Sequence, residues 1–207
     1  LKLQDTVRKA LQLIDDFRIT HLPVVSDDKY LGLISEEDLL DVGEDKVTLE
    51  FLQQYFLEVS VLENVHFLTA VNSIIQYDTG IVAIVDAEKK YIGAATSFDL
   101  LKVLGNFSGA AQMGGIIVIE LDWNQFSISE ISRLVESNDC SILHLNSTLD
   151  DLTGRLTVTL HLNKVEVASV VATFERYDYD VVYYLGSEKF ENELNNNFNN
   201  LMNYLDI

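Results

Sequence analysis

Apolar and polar positions alternate most cleanly at residues 155–162. Leu156, Val158, Leu160 and Leu162 fall between Arg155, Thr157, Thr159 and His161, which predicts a strand with one buried face. Residues 116–121, 142–145 and 180–185 are further short apolar runs of strand type. Between them the spacing turns helical. Ile128, Ile131, Leu134 and Val135 share one face of a helix opened by Ser127 or Ser129, and Val167, Val170, Val171 and Phe174 share one face of a helix over 165–177. The order βαββαβ predicts a ferredoxin-like split arrangement.

The first half reads differently. Val7, Ala10, Leu11, Ile14 and Phe17 keep helical spacing after a cap at Asp5 or Thr6. The run Leu22–Pro23–Val24–Val25, a polar turn at 26–29 and the run at 30–34 predict two strands, and Ser35 then starts a short helix. Residues 47–105 repeat the plan. Phe56, Val59 and Val61 predict a strand, 66–77 a helix, 81–85 and 91–95 two more strands, and Thr96 a second helix start. The junction is nearly the same sentence twice. Gly32–Leu33–Ile34–Ser35–Glu36–Glu37–Asp38 returns 61 residues later as Gly93–Ala94–Ala95–Thr96–Ser97–Phe98–Asp99. In each, a hydroxyl residue takes the N-cap position and an Asp the third helical position. Each copy alone has few strands and exposed apolar faces, so the two are expected to pack together.

These residues carry a resemblance. The Pro-Val-Val strand, the polar turn and the strand ending in Gly32-x-x-Ser35-x-x-Asp38, repeated in the second copy, resemble tandem CBS domains, which pair into a Bateman module. The βαββαβ half looks like an ACT domain, and the CBS–CBS–ACT order is similar to acetoin-utilisation proteins of the AcuB type. The implied fold class is α/β (α+β). It divides into a CBS unit at 1–46, a second at 47–105, a small-residue linker at 106–114, an ACT-like domain at 115–186 and a C-terminal helix at 187–207. In that last stretch Phe190, Leu194, Phe198, Leu201 and Leu205 keep a helical stripe among asparagines.

Charge narrows the function. The net charge of −19 excludes nucleic acid, whose phosphates need a basic surface, and an anionic membrane surface. Cys140 is the single cysteine, so no intrachain disulfide forms, and a buried inert thiol is expected. The opening Leu1–Lys2–Leu3–Gln4–Asp5 lacks signal-peptide character and an initiator Met. The expectation is a cytoplasmic protein whose native N-terminus is missing. No Walker loop, G-x-S-x-G, C-x-x-C or H-E-x-x-H is present, so the reading is a non-catalytic one.

The resemblance implies a ligand at the junctions: AMP, ATP or S-adenosylmethionine, with the hydroxyls of Ser35 and Thr96 on phosphate and the carboxylates of Asp38 and Asp99 on ribose. Ser or Thr with an acid three residues on also caps a helix with no ligand at all, worth about 1 kcal/mol. Glu36, Glu37 and Asp38 crowd the first junction with carboxylates that repel phosphate. If one junction binds, Thr96–Asp99 is favoured. If both bind, the ligand carries little negative charge or its phosphate is screened by a metal. In the second copy Ala83 replaces Pro23. In the ACT-like half the turn 122–127 lacks the glycine that lets an amino acid approach the backbone, and Gln125 or Phe126 is expected to fill that pocket. His144 and His161 are placed as cross-strand neighbours, too few to hold a metal, while His21 and His66 are expected at the surface or against a partner. The protein is expected to be a homodimer. The alternative to ligand sensing is a homodimeric scaffold whose clefts are filled by Tyr30, Tyr91 or Phe98.

Overall fold

The computed structural model describes residues 1–186, and the predicted helix at 187–207 lies outside the described residues. The chain is a mixed α/β protein that divides into two compact units, the first being Leu1–Gly105 and the second beginning at Asn106.

The first unit opens with helix α1 (Val7–Phe17), capped by the Thr6 hydroxyl, which accepts from the Lys9 amide at 3.3 Å. Strands β1 (His21–Ser26) and β2 (Lys29–Ser35) form an antiparallel hairpin that leads directly into helix α2 (Glu36–Asp41). A 3-10 helix, Leu49–Tyr55, follows, buried through Leu49 and Leu52. The second copy consists of β3 (Ser60–Leu62), α3 (Phe67–Tyr77), the hairpin β4 (Ile81–Val85) and β5 (Tyr91–Thr96), and α4 (Ser97–Phe107). Two local expectations give way here. Phe56 does not open a strand but ends the 3-10 helix, and α4 continues to Phe107, into the predicted linker.

The two hairpins share a register. His21 stands opposite Ser35 as Ile81 stands opposite Thr96, and both ladders slip at the same place, between Val24 and Val25 and between Ile84 and Val85. Pro23 and Ala83 are therefore equivalent, offset by 60, while the junctions are offset by 61. The extra residue sits in the turn, which joins Val25 to Tyr30 in one copy and Val85 to Tyr91 in the other.

The copies are tied to each other by backbone. The Tyr30 N–H donates to the Lys89 carbonyl at 3.0 Å and the Tyr91 N–H to the Asp28 carbonyl at 2.8 Å, so each turn closes on the other. Leu33 and Leu57 exchange both amide bonds, at 2.9 and 2.8 Å. This brings Phe56 against Gly32, where a Cβ would lie 2.8 Å from the Phe56 Cβ. Gly32 is glycine for that close approach. At Gly93 a Cβ would meet nothing within 4 Å. The symmetry of the sequence is broken at this point: β2 is covered, with Leu33 and Ile34 fully buried, whereas Ala94 and Ala95 are only partly so.

The second unit contains β6 (Gly115–Asp122), α5 (Ile128–Glu136), β7 (Ile142–Leu149), β8 (Arg155–Leu162), α6 (Ala168–Arg176) and β9 (Asp180–Leu185). The antiparallel sheet runs β7-β8-β6-β9, the arrangement of a ferredoxin-like split βαβ. Alternation on β8 works as the pattern demands. Leu156, Val158, Leu160 and Leu162 lie in one core with Ile117, Ile119, Leu134 and Phe174.

Candidate functional site

At the first junction, the extended backbone of Ser35 ends β2 and its side chain caps α2. The Asp38 amide donates to Ser35 Oγ at 3.0 Å, and the Ser35 hydroxyl donates to Asp38 Oδ2 at 2.5 Å. The second junction repeats this. The Asp99 amide donates to Thr96 Oγ1 at 3.1 Å, and the Thr96 hydroxyl and amide donate to Asp99 Oδ2 at 2.6 and 3.2 Å. The hydroxyl and amide of Thr96 hold the Asp99 carboxyl below the usual carboxylate range. Both pairs are thus helix caps. They differ in what stands around them.

Ser35 and Asp38 line a cleft of about 790 Å³. Leu33 and Leu57 contribute apolar wall, Tyr55 and Tyr77 aromatic wall, and Glu36, Glu37 and Asp78 further carboxylates. Thr20, His21, Thr79 and Gly80 close it from the starts of the two hairpins. Ser97 reaches this cleft, but Thr96 and Asp99 are not among its lining residues. This cleft lies beside the junction that the charge argument disfavours. The reason is the covering of β2: the 3-10 helix delivers Tyr55 and Leu57 to the Ser35 side through the Leu33–Leu57 amide pair.

Two side chains in the cleft are unusual. Thr79 is 3% exposed, and its hydroxyl is buried with no hydrogen-bond partner among the described residues. A group left so costs about 1–3 kcal/mol. His21 is half-buried, with Nδ1 2.9 Å from the Thr20 hydroxyl. Burial lowers its pKa, and the nearby Asp38 and Asp78 carboxylates oppose this without cancelling it. Sequence reasoning placed His21 at the surface or against a partner and did not single out Thr79, Tyr55 or Tyr77. The available signal was positional: Thr20–His21 and Gly80–Ile81 are equivalent in the two copies, each one residue from its own strand start.

Residues 1–45 match the CBS domain family. The chain carries a CBS domain. Among solved structures it is similar to a CBS domain pair/ACT domain protein from Thermotoga maritima, at 20% identity over 52% of this chain and 88% of that one, with a TM-score of 0.46. It is also similar to a Vibrio cholerae protein assigned to acetoin utilization (AcuB), at 22% identity over 54% and 85%, TM-score 0.45. A third likeness is to a CBS domain pair in complex with 5′-methylthioadenosine and S-adenosyl-L-methionine, at 22% identity over 51% and 86%, TM-score 0.42.

Within the first unit the side chains named for filling a cleft do other work. Tyr30 is buried in the core of the second copy, 6.4 Å from the stacked Tyr91 ring, and Phe98 is exposed beneath the Lys102 ammonium. His66 is the cap of α3, its Nδ1 accepting from the Leu68 amide at 3.3 Å.

In the second unit, the 122–127 turn does not fill its pocket. A cavity of about 640 Å³ opens there, lined by Gln125, Phe126, Glu120, Arg155 and Asp180 among others. Arg155 is held 3.6 Å from Glu120 and 3.2 Å from Asp180. His144 and His161 are cross-strand partners, with the Phe107 ring edge-on to His144 at 5.6 Å. No group of three or more His, Cys, Asp or Glu among the described residues is placed to hold a metal ion, and no helix among them is long and apolar enough to cross a membrane.

Proposed function

We propose that this chain is a non-catalytic regulatory protein whose first unit takes an adenosine-containing small molecule in the cleft beside Ser35 and Asp38. The cleft itself carries this reading. Its size suits a small molecule. Tyr55, Tyr77, Leu33 and Leu57 offer the flat apolar walls a base requires, and Asp38 offers a carboxylate to a ribose diol. Asp38 spends Oδ2 on Ser35 and keeps its other oxygen for a ligand. In this reading Thr96–Asp99, predicted as the favoured contact, serves as the cap of α4. Binding in the first unit is relayed to the ACT-like second unit in a cytoplasmic protein.

Titration calorimetry of the full chain with adenosine, AMP, ATP, 5′-methylthioadenosine and S-adenosylmethionine tests it. We expect saturable heat for at least one of them, lost in Asp38→Asn and retained in Asp99→Asn. Heat unaffected by Asp38→Asn would move the ligand elsewhere, and no heat for any of the five would sink the reading.

The scaffold reading is favoured by one observation. Ile75 on α3 and Phe98 and Leu101 on α4 are 73%, 62% and 61% exposed, more apolar surface than isolated side chains account for. Sedimentation analysis of the wild type against Phe98→Ser/Leu101→Ser decides it: a dimer that becomes a monomer supports a self-association face.

A further inference from the structure

Resting on the adenosine-ligand reading, we infer that the cleft selects by charge: it takes an adenosine derivative bearing a positive sulfonium or ammonium group and rejects 5′-phosphates. The charged side chains on its wall are Glu36, Glu37, Asp38 and Asp78, and no Lys or Arg among the described residues lines it. His21, the one described residue there able to become cationic, is pushed toward its neutral form by burial. It faces Asp38 and Asp78 and spends Nδ1 on the Thr20 hydroxyl.

Three amide donors of the wall are already engaged. The Glu36 N–H donates to the Thr20 carbonyl at 2.9 Å, the Asp38 N–H to Ser35 Oγ at 3.0 Å and the Ser97 N–H to the Gly80 carbonyl at 2.9 Å. A phosphate here would meet four carboxylates with no Lys or Arg of the described residues on the wall to offset them. A cation would meet the same four carboxylates as partners. The carboxylates come from two separate elements, the first turn of α2 and the end of α3, so the negative field is built from both sides of the cleft.

The acidic wall is joined by an independent sign of a ligand. Thr79 lies in the wall directly after Asp78 and keeps a buried hydroxyl with no partner among the described residues. A bound molecule with a polar group at that depth would satisfy it.

The sharpest probe is a pair of molecules that differ by one charge. S-adenosylmethionine and S-adenosylhomocysteine share every group except the methyl that makes the sulfur positive. Calorimetry of the full chain at low ionic strength should give S-adenosylmethionine about tenfold tighter binding than S-adenosylhomocysteine. AMP should bind at least tenfold more weakly than adenosine, with or without added magnesium. Raising the salt should narrow both ratios. Glu36→Gln/Glu37→Gln, at exposed positions, should bring the first ratio to within about threefold, and Asp78→Asn, from the opposite wall, should act in the same direction. Melting curves establish that the variants are folded. Equal binding of the sulfonium and thioether compounds, or AMP binding as well as adenosine, overturns charge selection while leaving the adenosine reading standing. No heat from any of the four compounds overturns both.

Discussion

The Tyr30 hydroxyl, carried on the first hairpin, donates to the Val59 carbonyl in front of β3 at 2.6 Å. The side chain crosses from one copy of the repeat into the core of the other and is 6% exposed there. Burial, with the neighbouring Tyr91 and Glu58, pushes the phenol well above its ordinary range, so it remains a donor at any working pH. Tyr30→Phe leaves the Val59 carbonyl buried without that donor. A loss of about 1–3 kcal/mol is expected in chemical denaturation, and Tyr30→Ala should cost more, about 3–5 kcal/mol. A Tyr30→Phe protein as stable as the wild type would remove this hydrogen bond from the account.

The two junction glycines should respond differently to the same change. Gly32→Ala drives a methyl to 2.8 Å from the Phe56 Cβ and should cost about 1–3 kcal/mol as overpacking. Gly93→Ala enters open space and should stay within about 0.5 kcal/mol of wild type. Comparing the two melting temperatures checks this without any ligand.

Thr79→Val is expected to leave the unliganded protein as stable as the wild type or raise it by about 1 kcal/mol, since it removes an unpaired buried hydroxyl at nearly constant volume. The same variant should bind its ligand less tightly. A clear drop in melting temperature without ligand would mean that the hydroxyl has a partner in solution.

Protonation of His21 should oppose folding. Its folded pKa lies below the ordinary histidine value of about 6.5 expected in the unfolded chain. The unfolded chain therefore binds the proton first as pH falls. The stability contributed by neutral His21 is complete above about pH 6.5 and is lost as pH drops through the folded value. Melting temperature against pH should decline below 6.5, and His21→Gln should flatten that part of the curve. An unchanged slope in His21→Gln would assign the decline to other groups.

The elements were legible because their signals are local. A hydroxyl followed three residues later by an acid fixes a helix start wherever it occurs, and alternation at 155–162 sets the buried face of β8 without reference to any other strand. The cleft was not legible in that way. Its walls come from Thr20, Tyr55, Tyr77 and Thr79, which lie far apart in sequence and are not distinctive singly. Ranking the junctions by nearby charge favoured Thr96, whereas the cleft described above stands at Ser35, where a distant segment lies against β2. The Leu33–Leu57 amide pair makes that contact, and neither leucine differs in kind from others in the chain. The 3-10 helix Leu49–Tyr55 was missed for a related reason: a single buried pair, Leu49 and Leu52, is too short a pattern to separate from a loop.

The reciprocal closure of the two hairpin turns bears on how the chain could be divided. A fragment ending near residue 46 would keep one full copy of the repeat but would lose the Lys89 acceptor of the Tyr30 amide, the Leu57 partner of Leu33 and the core that buries the Tyr30 ring. Such a fragment would expose an unpaired strand edge and an apolar side, the features that lead to aggregation. The segment at 1–45 is therefore not a unit of cooperativity by itself. Duplication counts two in this half of the chain; unfolding should count one.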